Sequence, residues 1–183
     1  MTEPSAHAAL ILEFANTLDV EAGTDVIATV EGLSAWARDR GLPGEVDETT
    51  HVRAISLRAG LRARLLLNNI GTPDTAEAGE TARAIEQAQS VLDTVPLRAR
   101  LGAEPEPGGP LLGDGPLAAI GVAWALVVAA GEWQRLKQCP DHTCEWVFWD
   151  GTRSRTRRWC TMSVCGNRAK ARAYAARRRR APD

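Results

Sequence analysis

Lysine is almost missing from this chain of 183 residues, which has two lysines against twenty arginines. Cysteine is missing entirely from the first 138 residues. No run of about 18 apolar residues occurs, which argues against a membrane-spanning helix. The longest apolar stretch, 117–130, is too short and contains a glycine. The opening Met1-Thr2-Glu3-Pro4 lacks the basic segment of a signal peptide, so a cytoplasmic location is expected. Internal repeats and sustained heptads are absent as well. So are a glycine-rich phosphate loop, a His/Glu metal motif and a Ser or Cys nucleophile beside an obvious base. The three histidines, His7, His51 and His142, are too scattered to propose a triad. Together these absences argue against an enzyme.

What is present is ordinary in total and uneven in placement. A hydrophobic fraction of 44% and a charged fraction of 25% suit one medium globular domain, or a domain with a small appended module. The net charge of −1 conceals two opposed halves. Residues 135–180 hold thirteen Lys and Arg against three acids, a balance of +10, while residues 1–134 hold nine Arg against nineteen acids, a balance of −10. A GC-rich genome accounts for part of the arginine excess, but not for its concentration in one quarter of the chain. Such polarity points to two jobs.

The first hundred residues read as helical. Residues 8–18 are apolar with an ambiguous period, helix or strand. Over 30–40, Leu33, Trp36 and Ala37 share a helical face, with a Gly-Leu-Pro-Gly stop after it. Over 49–68, Ala54, Leu57, Leu61 and Leu65 recur at steps of three and four. Arg53, Arg58, Arg62 and Arg64 lie mostly off that stripe and read as a solvated surface. Thr72 suits the N-cap and Pro73 the first position of a further helix that reaches about residue 95. Residues 96–116 read either as a loose hairpin (strands at 97–101 and 110–112) or as a plain linker. Pro116 opens another helix, with Leu117, Ile120, Trp124 and Val127 on one stripe, leading through 133–137 into the first cysteine. A pocket lined by Phe14, Asn16 and Trp36 is one reading of the helical part; core for Phe14 and Trp36 and a helix cap for Asn16 is the simpler one.

All four cysteines, Cys139, Cys144, Cys160 and Cys165, fall within 27 residues as two C-x4-C pairs separated by fifteen residues. Four thiolates can surround a tetrahedral ion, and a reducing cytosol disfavours disulfides. Zinc is the default, one structural ion with no open position; iron is the minor alternative. His142 inside the first pair could stand in as a ligand, but with four cysteines present it reads as incidental. Trp146, Phe148 and the Asp150-Gly151 turn look like a strand and its turn, with Arg157, Arg158 and Trp159 returning. Residues 169–180 have no breaker and are rich in helix formers. The expected fold is mainly α: a helical domain, 1–135, followed by a treble-clef-like zinc module, 136–183, of knuckle, β-hairpin and helix. So short a module needs its metal to order itself.

The stretch Trp159-Cys160-Thr161-Met162-Ser163-Val164-Cys165-Gly166-Asn167-Arg168, preceded by C-x4-C and the 146–150 strand, resembles the CGNR zinc-finger family. That family is named for the residues found here at 165–168. Upstream, residues 10–18 (Leu-Ile-Leu-Glu-Phe-Ala-Asn-Thr-Leu) and 33–42 (Leu-Ser-Ala-Trp-Ala-Arg-Asp-Arg-Gly-Leu) resemble the ABATE domain that usually precedes this finger. The resemblance implies a stress-induced transcriptional regulator with the finger as DNA binder, and implies no defined reaction or effector.

The basic residues Arg153, Arg155, Arg157, Arg158, Arg168, Lys170, Arg172 and Arg177 are the candidate nucleic-acid contacts. Bracing of the fold is the competing role for Arg157, Arg158 and Arg168, through carbonyls or through Asp150 and Glu145. Trp146 and Trp159 read as hairpin core, and Trp149 as the better stacking platform. The leading functional reading is a DNA-binding regulator whose acidic domain senses a small-molecule effector or forms a homodimer. An RNA- or ribosome-associated zinc protein and a protein–protein interaction module are the alternatives.

Overall fold

The computed structural model describes residues 2–42, 44–71, 75–101 and 110–180. Helix α1 (Ala6–Ala15) begins at Ser5, whose hydroxyl accepts from the Ala8 amide, and buries Ala8, Ile11, Phe14 and Ala15. The ambiguous 8–18 stretch is therefore helix as far as Ala15, turning into a strand at Leu18. A tight antiparallel pair, β1 (Leu18–Asp19) and β2 (Thr24–Asp25), leads to α2 (Val30–Asp39). The hydroxyl of Thr29 caps α2, and Leu33, Trp36 and Ala37 face inward as the 3.6 period predicts.

Helices α3 (Glu48–Ile70) and α4 (Thr75–Asp93) form a long antiparallel hairpin. Gly60 sits where they cross. A Cβ there would fall 2.2 Å from Ala88 Cβ and 2.5 Å from Ala84 O, so the backbones meet only because position 60 has no side chain. The expected cap at Thr72 and the proline–glycine connector at 104–109 lie outside the described residues. Strands β3 (Leu97–Ala99) and β4 (Leu111–Gly113) pair antiparallel, so the hairpin reading of 96–116 holds.

Pro116 occupies the first turn of α5 (Pro116–Ala129), which buries Leu117, Ala118, Ile120, Gly121, Val122, Ala123 and Val127. A helix apolar around most of its circumference belongs in the middle of a fold, and α5 packs on α1, α3, α4 and β4. A 3₁₀ turn at Trp133–Arg135 feeds β5 (Leu136–Gln138), which pairs antiparallel with β6 (Val147–Trp149). A π-helical turn, Met162–Gly166, precedes α6 (Asn167–Arg180). The main core joins α1, α2, α3 and α5 to Leu136 and Val147 of the last ribbon. Among the described residues, no helix is long and apolar enough to cross a membrane.

Two expectations are corrected. Arg58 and Arg62 are buried, not solvated. Arg58 donates to both carboxylate oxygens of Asp25 (2.6 and 2.7 Å) and to Thr17 Oγ1 (2.9 Å). Arg62 donates to the carbonyls of Ala15, Leu18 and Glu145 and lies 3.3 Å from the Glu145 carboxylate. Buried guanidinium groups are tolerated because both terminal nitrogens of each find oxygens. The second correction concerns the finger's ribbon. The 147–149 strand pairs backwards with 136–138, and residues 157–159 form no strand.

Candidate metal centre and basic surface

The Sγ atoms of Cys139, Cys144, Cys160 and Cys165 all lie within 4.8 Å of one another. Cys160 Sγ is 3.5 Å from those of both Cys144 and Cys165. Sulfurs at that distance are too far apart for a disulfide, in which the bond is about 2.05 Å. They match the edge of a tetrahedron with arms of about 2.3 Å, roughly 3.8 Å, which is the zinc–thiolate geometry. Burial pushes the Cys144 thiol up to about 12 and raises the Cys165 thiol as well, with crowding by the neighbouring cysteines adding to it. Without a cation Cys144 and Cys165 would keep their protons; a divalent ion takes the place of those protons and relieves the crowding. With four sulfur donors and no open position, the site fits one structural zinc. His142 is exposed and stands outside the cluster.

Local backbone chemistry places each ligand. Cys139 directly follows β5, its amide donating to Trp146 O at 2.9 Å. Between the first pair, Asp141 O accepts from the amides of Cys144 and Glu145, and Glu145 takes a left-handed conformation (φ 53°). The Asp141 side chain is fully buried, accepting from the amide and hydroxyl of Thr143 and sitting 3.1 Å from Arg172. Burial works against its charge, but the Arg172 and Thr143 bonds prevail and its pKa is lowered. Cys165 comes from the π-helical turn, and Phe148 and Trp159 pack around the sulfurs.

The segment between the second and third cysteines is wound around another buried ion pair. Lys137 Nζ lies 2.7 Å from Asp150 Oδ2 and also donates to the carbonyls of Arg155 (2.5 Å) and Arg157 (3.1 Å). Asp150 further accepts from the amide and hydroxyl of Thr152 and from the Arg157 amide. Its carboxyl stays charged despite burial because Lys137 and Thr152 outweigh the desolvation. Arg135 donates to the carbonyls of Asp150 and Thr152. Lys137 stands 13 residues ahead of Asp150, and nothing local in the sequence signals this role.

Two family models match the chain. One, the CGNR zinc finger, covers residues 135–178; the other, ABATE, described as a putative stress-induced transcription regulator, covers 8–133. The chain belongs to the ABATE family and ends in a CGNR zinc finger. The resemblance carried by the cysteine spacing and the 10–18 and 33–42 stretches is thus the chain's family. No curated protein matches it.

The CGNR finger is fastened to the ABATE helices by side chains that bond to its backbone. Asn16 donates to Val147 O and accepts from Val147 N, both at 2.8 Å, so its amide acts as one rung of a neighbouring strand. Asn68 donates to the carbonyls of Trp133 and Leu136, and Asn69 to those of Gln138 and Arg158. Thr2 closes the other side, donating from its amide to Gly151 O and accepting from Trp149 Nε1. A Cβ at Gly151 would lie 2.6 Å from Thr2 O, which is why glycine stands there.

The eight candidate contacts divide by what they touch. Arg157 donates to the carbonyls of Trp159 and Cys160 and lies over Phe148. Arg155 donates to Gln134, Arg168 pairs with Glu21, and Arg172 pairs with Asp141. Arg158 lies over Trp159, and the side chains of Arg153, Arg158, Lys170 and Arg177 make no hydrogen bond or ion pair among the described residues. Arg157 thus braces carbonyls, as its competing role had it, whereas the two acids named for that role pair elsewhere, Asp150 with Lys137 and Glu145 with Arg62. Trp159 does pack in the finger's core, but Trp146 is 39% exposed and Trp149 is half-buried against the main core. Trp146 is thus the more exposed of the two, the reverse of the expectation. Phe14 and Trp36 are core and Asn16 is the C-cap of α1, as the simpler reading has it; Asn16, Trp36 and Trp146 also line a groove of about 460 Å³.

Proposed function

We propose that this ABATE protein is a transcriptional regulator that binds duplex DNA through its CGNR finger. The observation that carries the reading is the set of exposed cations, Arg153, Arg158, Lys170 and Arg177, without carboxylate partners among the described residues, on a frame held by the four-sulfur site and the Lys137–Asp150 pair. Cations without carboxylate partners on a rigid frame suit phosphate, and the exposed face of α6 suits a groove. Four such contacts give a log–log slope of binding against salt of about −4. The test is selection from random duplex DNA and structured RNA by the zinc-loaded full chain at physiological salt. Enrichment of duplex sequences supports the reading, and failure to enrich from either pool removes it.

RNA is the second reading, favoured by Trp146, an exposed ring beside the basic surface on which an unpaired base can stack. Preferential enrichment of RNA, lost in Trp146→Ala, would select it. The acidic helical body takes the role of effector sensing or self-association. The groove between Leu12, Trp36 and Trp146 is of a size for a small molecule and touches both parts of the chain.

A further inference from the structure

The β1–β2 turn carries acids to the edge of the finger. Glu21 Oε1 lies 2.5 Å from Nη2 of Arg168, 147 residues further along the chain. Asp19 and Glu21 form one wall of a groove of about 570 Å³ whose other wall holds Trp146, Phe148, Arg157 and Cys160. The turn is pre-shaped: Asp19 Oδ1 accepts from the Ala22 amide at 3.0 Å, and Gly23 supplies a φ of 66°. Its pair with Arg168 differs in kind from the other ion pair of α6 among the described residues. Arg172 is held by Asp141, whose side chain is fully buried inside the finger, whereas the Glu21 side chain is half-exposed and comes from the acidic half of the chain. An exposed pair of this kind is weak and open to exchange, and a guanidinium accepts phosphate in the geometry in which it accepts carboxylate.

We propose that the β1–β2 turn is an intramolecular competitor of nucleic-acid phosphate, with Glu21 occupying Arg168 until a phosphate displaces it. The inference rests on the finger's basic surface being a polyanion-binding one. Arg168 is then a cation withheld in the free protein, so that weak encounters with any polyanion go unrewarded and a well-fitted site gains one more contact. The ABATE half thereby sets the affinity of the CGNR half through a single side chain.

The test is a binding titration of the zinc-loaded full chain and its Glu21→Gln variant with duplex DNA across a salt series, alongside zinc content and Tm. Glu21→Gln should bind about two- to fivefold more tightly, the worth of an exposed ion pair. Its salt slope should steepen by about one unit, for one extra phosphate neutralised. Arg168→Gln should weaken binding, and in that background Glu21→Gln should change nothing. If the parent chain binds and Glu21→Gln binds equally or less tightly, the competition is overturned while the proposed function stands. A gain that persists without Arg168 also overturns it, because the effect is then one of general charge. If neither chain binds duplex DNA or RNA, the inference and the proposed function fall together.

Discussion

Two arginines of α3 act as internal fasteners, and each ties a turn to the helix body. Arg58 holds Asp25 and Thr17, and Arg62 reaches from the end of α1 to Glu145 of the finger. Removing one partner leaves a buried charge without compensation, so Asp25→Asn should cost about 3 kcal/mol in urea unfolding at neutral pH. The hydrogen bond from Arg58 holds the Asp25 carboxyl below its ordinary value of 3.8. A depressed carboxylate contributes stability that is present above its unfolded pKa and lost as pH falls through the folded one. Asp25→Asn should therefore flatten the fall of stability below about pH 4; an unchanged acid limb would show that Asp25 is not linked to folding. None of this could be read locally. Positions 58 and 62 adjoin Leu57 and Leu61 on the helix, but their carboxylate partners lie 33 and 83 residues away, and a charged residue beside an apolar stripe looks solvated until its partner is known.

At the level of elements, the α3–α4 hairpin depends on one missing side chain. Gly60→Ala must push the helices apart at Ala84 and Ala88. Overpacking of that kind costs about 2 kcal/mol, or about 4–8 °C in Tm for a chain of this size. An unchanged Tm would mean that the crossing is looser than described. In the finger, Asp150→Asn should leave zinc content intact while raising amide exchange over 151–158, because Lys137 loses the anchor around which that segment is wound. Parallel loss of zinc would instead make the pair part of the metal frame. Helices α2 to α6 and the four clustered cysteines were legible because each rests on local periodicity or spacing, whereas 8–18 and 96–116 stay open between two readings until their packing is known. The ribbon was misread for an equally local reason: Asp150-Gly151 has the composition of a hairpin turn. Here the carboxylate is spent on Lys137 and Thr152, and the glycine admits Thr2, so the chain does not fold back at 157–159.

For the molecule as a whole, the two family segments share one hydrophobic core. Leu136 and Val147 are buried with the residues of α1, α3 and α5. Chelation of the metal, or Cys160→Ser, should therefore do more than unravel α6. Amide protection should fall throughout 136–166, and Tm should drop for the entire chain in one transition. Two separated transitions would show that the finger melts alone. Residues 1–135 expressed without the finger should likewise show a lower Tm and bind a hydrophobic dye, since the surfaces under β5 and β6 are then uncovered. In the β5–β6 ribbon, the N–H and C=O of Val147 turn away from β5 and are both taken by Asn16. An open ribbon edge is a template on which a foreign strand can add. The amide of Asn16 thus works as a stopper against polymerisation, and its replacement by alanine should appear first as insoluble β-rich material at high protein concentration.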